Sequence, residues 1–362
     1  MAQKRILAAF ALILLSIPLF AEKLPKPDRD AAEPTTEQRE LISEAIQLHD
    51  AGRYDEAIAK YKQVLDQSPD NAGVMYELAL TYYTKGDIQN ALQTARTGTH
   101  YRSRYLPQLY MTIGNILDDQ GKSKEAMAVY KDAIALQPDF AMLHFNLGLS
   151  LVRSGNFQDA RTSLQRSVVL DPEHASGHFV LASIYSELGY SVPTMLALSR
   201  FLLLEGNTRR SQAALATLHN LIGGDVSRDP RSGQITIQML STGKSKKDEG
   251  DFDGIELGLS ITTAAAQIAA PDKKSNAFQL LAEKYSTLAE LLSTRKQKGF
   301  AIEYYGPFFT ELKSQEKAEA FAYRVFGSEK IQGLTEWEQK ETAKINAFDA
   351  WIKSYPWPRL KP

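Results

Sequence analysis

Cysteine is absent from the 362 residues of this chain. Its absence excludes disulfide bonds, thiolate zinc sites, cysteine nucleophiles and a lipid-modified cysteine. The chain also lacks an excess of charge of either sign, since 42 lysines and arginines stand against 43 aspartates and glutamates. Proteins that bind polyanions normally carry a clear basic excess. We therefore expect no nucleic-acid partner.

Long apolar runs are missing as well, apart from one at the N-terminus. Lys4 and Arg5 precede an almost wholly apolar stretch from Ile6 to Phe20, and the small residue Ala21 follows. This order is typical of a cleavable signal peptide, and the run is short for a membrane span, which needs roughly 20 apolar residues. We predict a signal peptide at residues 1–21 and a periplasmic or secreted mature protein without stable membrane insertion. An uncleaved N-terminal anchor facing the periplasm is the alternative.

A repeat of 34 or 35 residues follows a proline-containing linker at residues 22–37. A small residue stands in a first helix, a turn glycine follows seven positions later, and a second residue, usually alanine, follows five positions after that. The three columns are Ala45, Ala79, Gly114, Gly148 and Ala182; Gly52, Gly86, Gly121, Gly155 and Gly189; and Ala57, Ala91, Ala126, Ala160 and Thr194.

The repeat predicts pairs of antiparallel helices. Two helices approach closely only where side chains are small, and glycine lets the chain reverse between them. Large apolar residues at helical spacing surround the small ones. The fold class is therefore all-α, with a solenoid of about five helix pairs at residues 38–222 that ends in a capping helix, Arg209–Ile222. Between the second and third pairs, the segment GTHYRSRYLP is expected to be a distorted helix end.

The strings GRYDEAIAKYKQVLDQSPDN and GKSKEAMAVYKDAIALQPDF closely resemble the second half of a tetratricopeptide repeat. The resemblance covers Gln38 to about Thr208 and implies that the first helices line a concave, peptide-binding surface. In this family, asparagines at the positions of Asn115 and Asn146 often form hydrogen bonds with the backbone of a ligand. The resemblance thus implies a non-catalytic scaffold for a protein or peptide partner, without a cofactor. The residues expected at its concave face are Asn115, Asn146, Tyr76, Tyr83, Phe145 and Phe179.

The C-terminal part lacks the 34-residue period. Residues 223–254 are rich in glycine, serine, aspartate and lysine and are expected to form a linker with one short extended segment at Ile235, Ile237 and Met239. Apolar stripes at helical spacing return in residues 255–362, which predicts a smaller helical region. One stripe is Leu257, Ile261, Ala264 and Ile268.

The strings GFAIEYYGPFFTELKS and SYPWP resemble C-terminal segments of exported bacterial tetratricopeptide proteins without an assigned activity. Together with the signal peptide, this resemblance implies a scaffold of the bacterial cell envelope. Two alternatives stay open: an enzyme with an unrecognised site in the C-terminal half, and a purely structural subunit of an envelope assembly. The aromatic residues of the first string are expected to form a core rather than a docking face. They are Phe300, Tyr304, Tyr305, Phe308 and Phe309.

Two candidate metal sites are weaker than their structural alternatives. His174 and His178 have the spacing of two ligands on one helix, but no third ligand is evident, so a packing role is favoured. The loop from Glu249 to Gly254 has acidic spacings similar to those of a calcium loop. Ser260 stands where that loop needs its closing glutamate, so a solvated acidic linker is favoured. We expect neither a metal site nor a catalytic residue.

Overall fold

The structure, a computed structural model, describes residues 26–223, 225–229, 231–238, 248–250, 252, 254–269, 277–294 and 298–360. The predicted signal peptide lies outside these ranges. The described residues form helices and two short two-stranded sheets, which confirms the all-α fold class. The described residues divide into two compact units, and the division lies between Asp132 and Ala133. The predicted domain boundaries at residues 38, 223 and 255 stay predictions.

The first unit contains the first helix pairs of the repeat. From α1 to α5 each helix packs on the next one along the chain, and the small residues Ala45, Ala57, Ala79 and Ala91 are fully buried. The elements are β1 (Arg29–Asp30), α1 (Thr36–Asp50), α2 (Tyr54–Gln67), α3 (Ala72–Lys85), α4 (Ile88–Gly98), β2 (Tyr101–Arg102), α5 (Leu106–Asp119) and α6 (Ser123–Leu136), which runs across the boundary between the units.

The predicted turn glycines all have a positive φ. Gly86 ends α3 with a φ of 90°, in the left-handed region, and its amide donates to the carbonyl oxygens of Tyr82 and Tyr83. A residue with a Cβ is strained in this conformation, whereas glycine is not. The recurrent glycine therefore marks the reversal between the helices of each pair, as predicted.

The segment between α4 and α5 is not the distorted helix end that we expected. α4 ends at Gly98, and Tyr101–Arg102 form β2, which pairs in parallel with β1. The amides of Asp28 and Arg29 donate to the carbonyl oxygen of His100 at 3.0 and 3.1 Å. His100 lies beyond the end of α4, so its carbonyl oxygen needs a partner outside the helix. The predicted linker supplies that partner. Part of that linker is therefore bonded to the repeat.

The second unit contains the remaining helix pairs and the C-terminal helices. β3 and β4 form an antiparallel hairpin, and β4 is the predicted extended segment as far as Gln238. The elements are α7 (Ala141–Arg153), α8 (Phe157–Leu170), α9 (Ala175–Glu187), α10 (Ser191–Leu204), α11 (Arg209–Gly223), β3 (Asp225–Arg228), β4 (Ile235–Gln238), α12 (Ile255–Ala269), α13 (Ala277–Ser293), α14 (Phe300–Ser314), α15 (Ala318–Phe326), α16 (Leu334–Lys340) and α17 (Thr342–Ser354).

The helix α11 is the predicted capping helix. Its apolar side, Leu215, Leu218 and Ile222, is buried, and the helix packs on α10. It also packs on α12, so the C-terminal helices continue the stack beyond it. The cap is therefore an internal layer of the second unit rather than its surface.

The aromatic residues of α14 form the core of the second unit. Tyr304, Tyr305, Phe308 and Phe309 are buried and Phe300 is half-buried, which confirms the core prediction. The rings of Phe308 and Trp357 stack with centroids 5.2 Å apart. Such clusters add to stability beyond the area that they bury.

One predicted apolar stripe is exposed at three of its four residues, and only Ala264 is buried. Leu257, Ile261 and Ile268 on α12 are 38%, 51% and 67% exposed, while Ile255 and Leu259 on another side of the helix are buried. Glu256 is the single charged residue of α12. Helical spacing alone does not show which of two apolar faces packs, because both have the same period. No helix in the described ranges is long and apolar enough to cross a membrane.

Candidate functional site

The first helices of the first unit share one apolar face. α1 and α3 contact each other, as do α3 and α5. Equivalent positions one repeat apart on these helices form rows, and none of their side chains is fully buried. The rows are Ile42, Tyr76 and Met111, and Ile46, Leu80 and Asn115. Tyr83 continues the face by one more turn of α3, since it follows Leu80 at helical spacing. The face therefore keeps apolar and aromatic surface in contact with solvent.

The two predicted tyrosines join α3 to the residues that follow it. The ring of Tyr76 stacks on Tyr105, with centroids 5.9 Å apart, and burial raises the pKa of Tyr76. The hydroxyl of Tyr83 donates to the carboxylate of Asp119 on α5. Both rings are half-buried. They can therefore take part in apolar contacts while their own positions are fixed.

Asn115 has a partner within the first unit. Its side-chain oxygen accepts a hydrogen bond of 2.7 Å from the hydroxyl of Tyr130. Tyr130 is fully buried, and its ring lies against Gly114, where an added Cβ would be only 2.4 Å away. Asn115 thus supports the helix crossing, and its replacement affects folding as well as any ligand.

The other three predicted site residues lie in the second unit. Phe145 and Asn146 on α7 are both only 8% exposed, and the ring of Phe145 meets His174 edge to face at 4.6 Å. Phe179 on α9 is half-buried against Phe201, with ring centroids 4.9 Å apart. Of these three, the ring of Phe179 offers the most accessible surface. A role of the six residues in binding stays a prediction.

The structure contains a buried polar cluster around Glu249 that we did not predict from the sequence. Glu249 is 2% exposed, so the expectation of a solvated acidic linker was wrong for this residue. Its carboxylate accepts bonds from Gln165 at 2.6 Å, from the Tyr185 hydroxyl at 3.0 Å and from the amide of Ala301 at 3.0 Å. Arg161 lies 3.3 Å away. Burial raises the pKa of Glu249, and the charge of Arg161 opposes that shift.

The cluster joins α8 and α9 to the start of α14. The amide of Ala301 is one of the first-turn N–H groups of α14, which have no partner within the helix, so Glu249 caps this helix from a distant segment. Gly299 permits the approach, since an added Cβ there would lie 2.3 Å from the carbonyl carbon of Glu249. Gln165 and Glu249 are 84 positions apart, so no local spacing could have predicted their contact.

Both ring nitrogens of His178 have partners in the core. Nδ1 lies 2.9 Å from the hydroxyl of Tyr305, and Nε2 lies 3.0 Å from the carbonyl oxygen of Pro172. Burial lowers the pKa of His178 to about 3. The packing role predicted for this residue is therefore confirmed.

Profiles of known families match the repeat region. The two that match are described as "TPR repeat", at residues 47–86 and 114–155, and "Tetratricopeptide repeat", at residues 141–174. These matches confirm the tetratricopeptide repeats predicted from the sequence. No curated protein matches the chain significantly.

Solved structures of tetratricopeptide type resemble about half of the chain. A thermophilic TPR protein of Thermus thermophilus is 22% identical over 50% of this chain and 98% of its own, with a TM-score of 0.41. PilF of Pseudomonas aeruginosa is 18% identical over 51% and 88%, with a TM-score of 0.44. MamA of Desulfovibrio magneticus is 18% identical over 47% and 96%, with a TM-score of 0.39. TM-scores this low support no conclusion about what this chain binds.

Proposed function

We propose that this tetratricopeptide repeat protein is a non-catalytic scaffold of the bacterial cell envelope that binds an extended protein segment. The segment lies along the first helices of the repeats, with its apolar side chains against the rows of α1, α3 and α5. Proteins with such repeats generally act as protein-interaction scaffolds. The location in the envelope rests on the signal peptide predicted at residues 1–21.

The observation that carries the proposal is the contrast between two sides of the same helices. On α3, Ala79 and Leu78 are buried, whereas Tyr76, Leu80 and Tyr83 keep part of their surface exposed. Exposed apolar surface that continues from one repeat to the next is typical of an interaction site. An extended segment fits it because the rows repeat along the stack of first helices.

A binding experiment with a matched pair of leucines tests the proposal. Leu80 on α3 and Leu65 on α2 are both half-buried leucines of the first unit, but Leu65 lies on a second helix. The tagged mature chain, residues 22–362, and the variants Leu80→Asp and Leu65→Asp are used to capture partners from an envelope fraction. Mass spectrometry identifies partners, and calorimetry measures their affinity for each variant.

We expect Leu80→Asp to weaken binding of the captured partner by about tenfold or more, because it places a charge on the apolar face. Leu65→Asp should retain the wild-type affinity. Urea unfolding shows whether the two variants have lost the same stability. Equal affinities of the partner for both variants would show that the binding site does not lie on the first helices.

A further inference from the structure

The first helices of the first unit carry an excess of acidic residues. α1, α3 and α5 contain seven aspartates and glutamates but only two lysines and arginines, whereas the second helices α2 and α4 contain three of each kind. The ion pairs Lys60–Glu44 and Lys85–Asp55 each join a first helix to α2. Apart from these pairs, the first helices keep six acids and one base, Arg39. The helices that form the proposed binding face are therefore negatively charged, although the whole chain is nearly neutral.

Two exposed carboxylates border the apolar rows of this face. Asp50 on α1 follows Ile46 by four residues, and Asp119 on α5 follows Asn115 by four residues. Residues four apart lie above one another on one side of a helix. The carboxylates therefore continue the row of Ile46, Leu80 and Asn115 by one turn. The face has an apolar centre and an acidic border at the C-terminal ends of the first helices.

This border is unfavourable for the helices that carry it. The C-terminal end of a helix has a partial negative charge, so a cation is favoured there and a carboxylate is not. α5 nevertheless ends in Asp118 and Asp119 and has no basic residue in its last turn. Burial raises the pKa of Glu77 on α3, and the charge of Asp50 raises it further. A positively charged partner would offset both effects.

We infer that the extended segment bound by the first helices is basic, with lysine or arginine side chains at Asp50 and Asp119 and apolar side chains against Leu80. This inference rests on the proposed function and adds the chemistry of the partner. It follows from charge complementarity, since an acidic segment would be repelled at the border of the face.

The repeat also predicts the spacing of the basic residues in the partner. Packed helices lie about 8–10 Å apart, so Asp50 and Asp119, which are two repeats apart, are separated by roughly 16–20 Å. An extended chain advances about 3.3 Å per residue. The two basic residues of the bound segment should therefore be about five or six positions apart.

Selection of peptides on the full mature chain, residues 22–362, tests the inference. The probe is a phage-displayed library of random dodecapeptides, and a selected peptide is then synthesised with a fluorescent label for anisotropy titrations. Asp50→Lys reverses one charge of the border. Asp66→Lys is its control, because Asp66 is an exposed aspartate on the second helix α2. Asp119→Asn removes the other charge but keeps an oxygen that accepts from the hydroxyl of Tyr83.

We expect peptides selected on wild type to contain more lysine and arginine than aspartate and glutamate. Asp50→Lys should weaken binding of the labelled peptide by about fivefold or more, and Asp119→Asn by about twofold or more, because exposed charge pairs contribute modestly. Asp66→Lys should bind it like wild type. Added salt should weaken binding to wild type more than to Asp50→Lys, because salt screens the attraction between exposed charges.

A second matched pair, Leu80→Ala and Leu65→Ala, separates failure of this inference from failure of the proposed function. The inference is wrong and the proposed function stands if Leu80→Ala weakens binding while Asp50→Lys and Asp119→Asn do not, or if the selected peptides have no basic excess. Both are wrong if no peptide is selected, or if Leu80→Ala binds the peptide as tightly as Leu65→Ala does. Circular dichroism establishes that every variant is folded.

Discussion

Nδ1 of His178 and the hydroxyl of Tyr305 lie 2.9 Å apart in the core of the second unit, where α9 meets α14. The other ring nitrogen, Nε2, lies 3.0 Å from the carbonyl oxygen of Pro172 and therefore carries the hydrogen. Nδ1 then accepts from the tyrosine. A protonated ring would carry a hydrogen on both nitrogens, so the tyrosine could no longer donate to it.

The first prediction is a loss of stability in acid that depends on His178. Burial lowers its folded pKa to about 3, and the charge of Arg200 acts in the same direction. The unfolded state therefore binds a proton between about pH 6.5 and 3 that the folded state does not. Stability should fall as the pH is lowered through this range, by about 2 kcal/mol between pH 7 and pH 5 from this residue.

Urea unfolding of wild type and His178→Gln at both pH values measures the effect. His144 and His174 also have lowered pKa values, and that of Glu249 is raised, but these groups are common to both proteins. The difference between the two pH dependences therefore isolates His178. If the stability of both proteins depended on pH in the same way, the pKa of His178 would be the same in the folded and unfolded states, and the prediction would be wrong.

A second prediction contrasts neighbouring acids in the buried polar cluster. Glu249→Ala should destabilise the second unit by about 1–3 kcal/mol, because the buried hydroxyl of Tyr185 and the amide of Ala301 lose the carboxylate that accepts from them. Asp248 also pairs with Arg161, at 2.7 Å, but its side chain is 49% exposed. Asp248→Ala should therefore cost about 0–1 kcal/mol. Denaturant unfolding measures both, and equal losses would mean that burial of Glu249 contributes nothing.

The repeat could be predicted from the sequence because its signals are local. Gly86 lies seven residues after Ala79, and both follow from the geometry of one helix pair. The core role of Tyr304 and Phe308 was likewise predictable, since they are four residues apart and therefore lie on one face of a helix. Such features recur within a few turns of the chain and need no knowledge of distant partners.

The features that were missed depend on contacts between distant segments. Glu249 is indistinguishable in sequence from a solvated acid, because its partner Gln165 lies 84 positions away. Leu257 belongs to a stripe with the correct period, yet the other face of α12 is buried. β2 exists because residues before the repeat supply backbone donors to it. Periodicity identifies a face but not what covers it.

The third prediction concerns the helix crossing of the third pair. Gly114→Ala places a Cβ 2.4 Å from the Tyr130 ring, and Ala126→Leu enlarges a residue that is fully buried. Each change should overpack the crossing and cost about 1–3 kcal/mol. Thermal unfolding measures this cost. Gln120→Ala at the exposed end of α5 is the control and should leave the melting temperature nearly unchanged. A Gly114→Ala protein as stable as wild type would disprove this register.

The fourth prediction concerns export. Cleavage after Ala21 should give a mature chain that begins at Glu22, because Ala21 is the small residue placed after the apolar run. N-terminal sequencing of protein purified from its native host identifies the first residue. An intact Met1 in a soluble cytoplasmic fraction would contradict export and with it the proposed location.

The last prediction separates binding from folding at the two asparagines. If the side chains of Asn115 and Asn146 bond the backbone of a bound segment, each Asn→Ala change should weaken binding of an identified partner by about 1–3 kcal/mol. Phe145→Ala should also weaken it through lost apolar burial. Asp159→Ala, at an exposed position on α8, is the control and should retain the wild-type affinity.

Asn115→Ala alone is ambiguous, because it removes the acceptor of the buried Tyr130 hydroxyl and should lower stability as well. The double variant Asn115→Ala/Tyr130→Phe removes both partners, which is close to neutral when the shape is preserved. It should therefore regain stability in urea unfolding but not affinity in calorimetry. Tyr130→Phe alone should bind like wild type. Recovery of affinity together with stability in the double variant would show that Asn115 acts on the fold and not on the ligand.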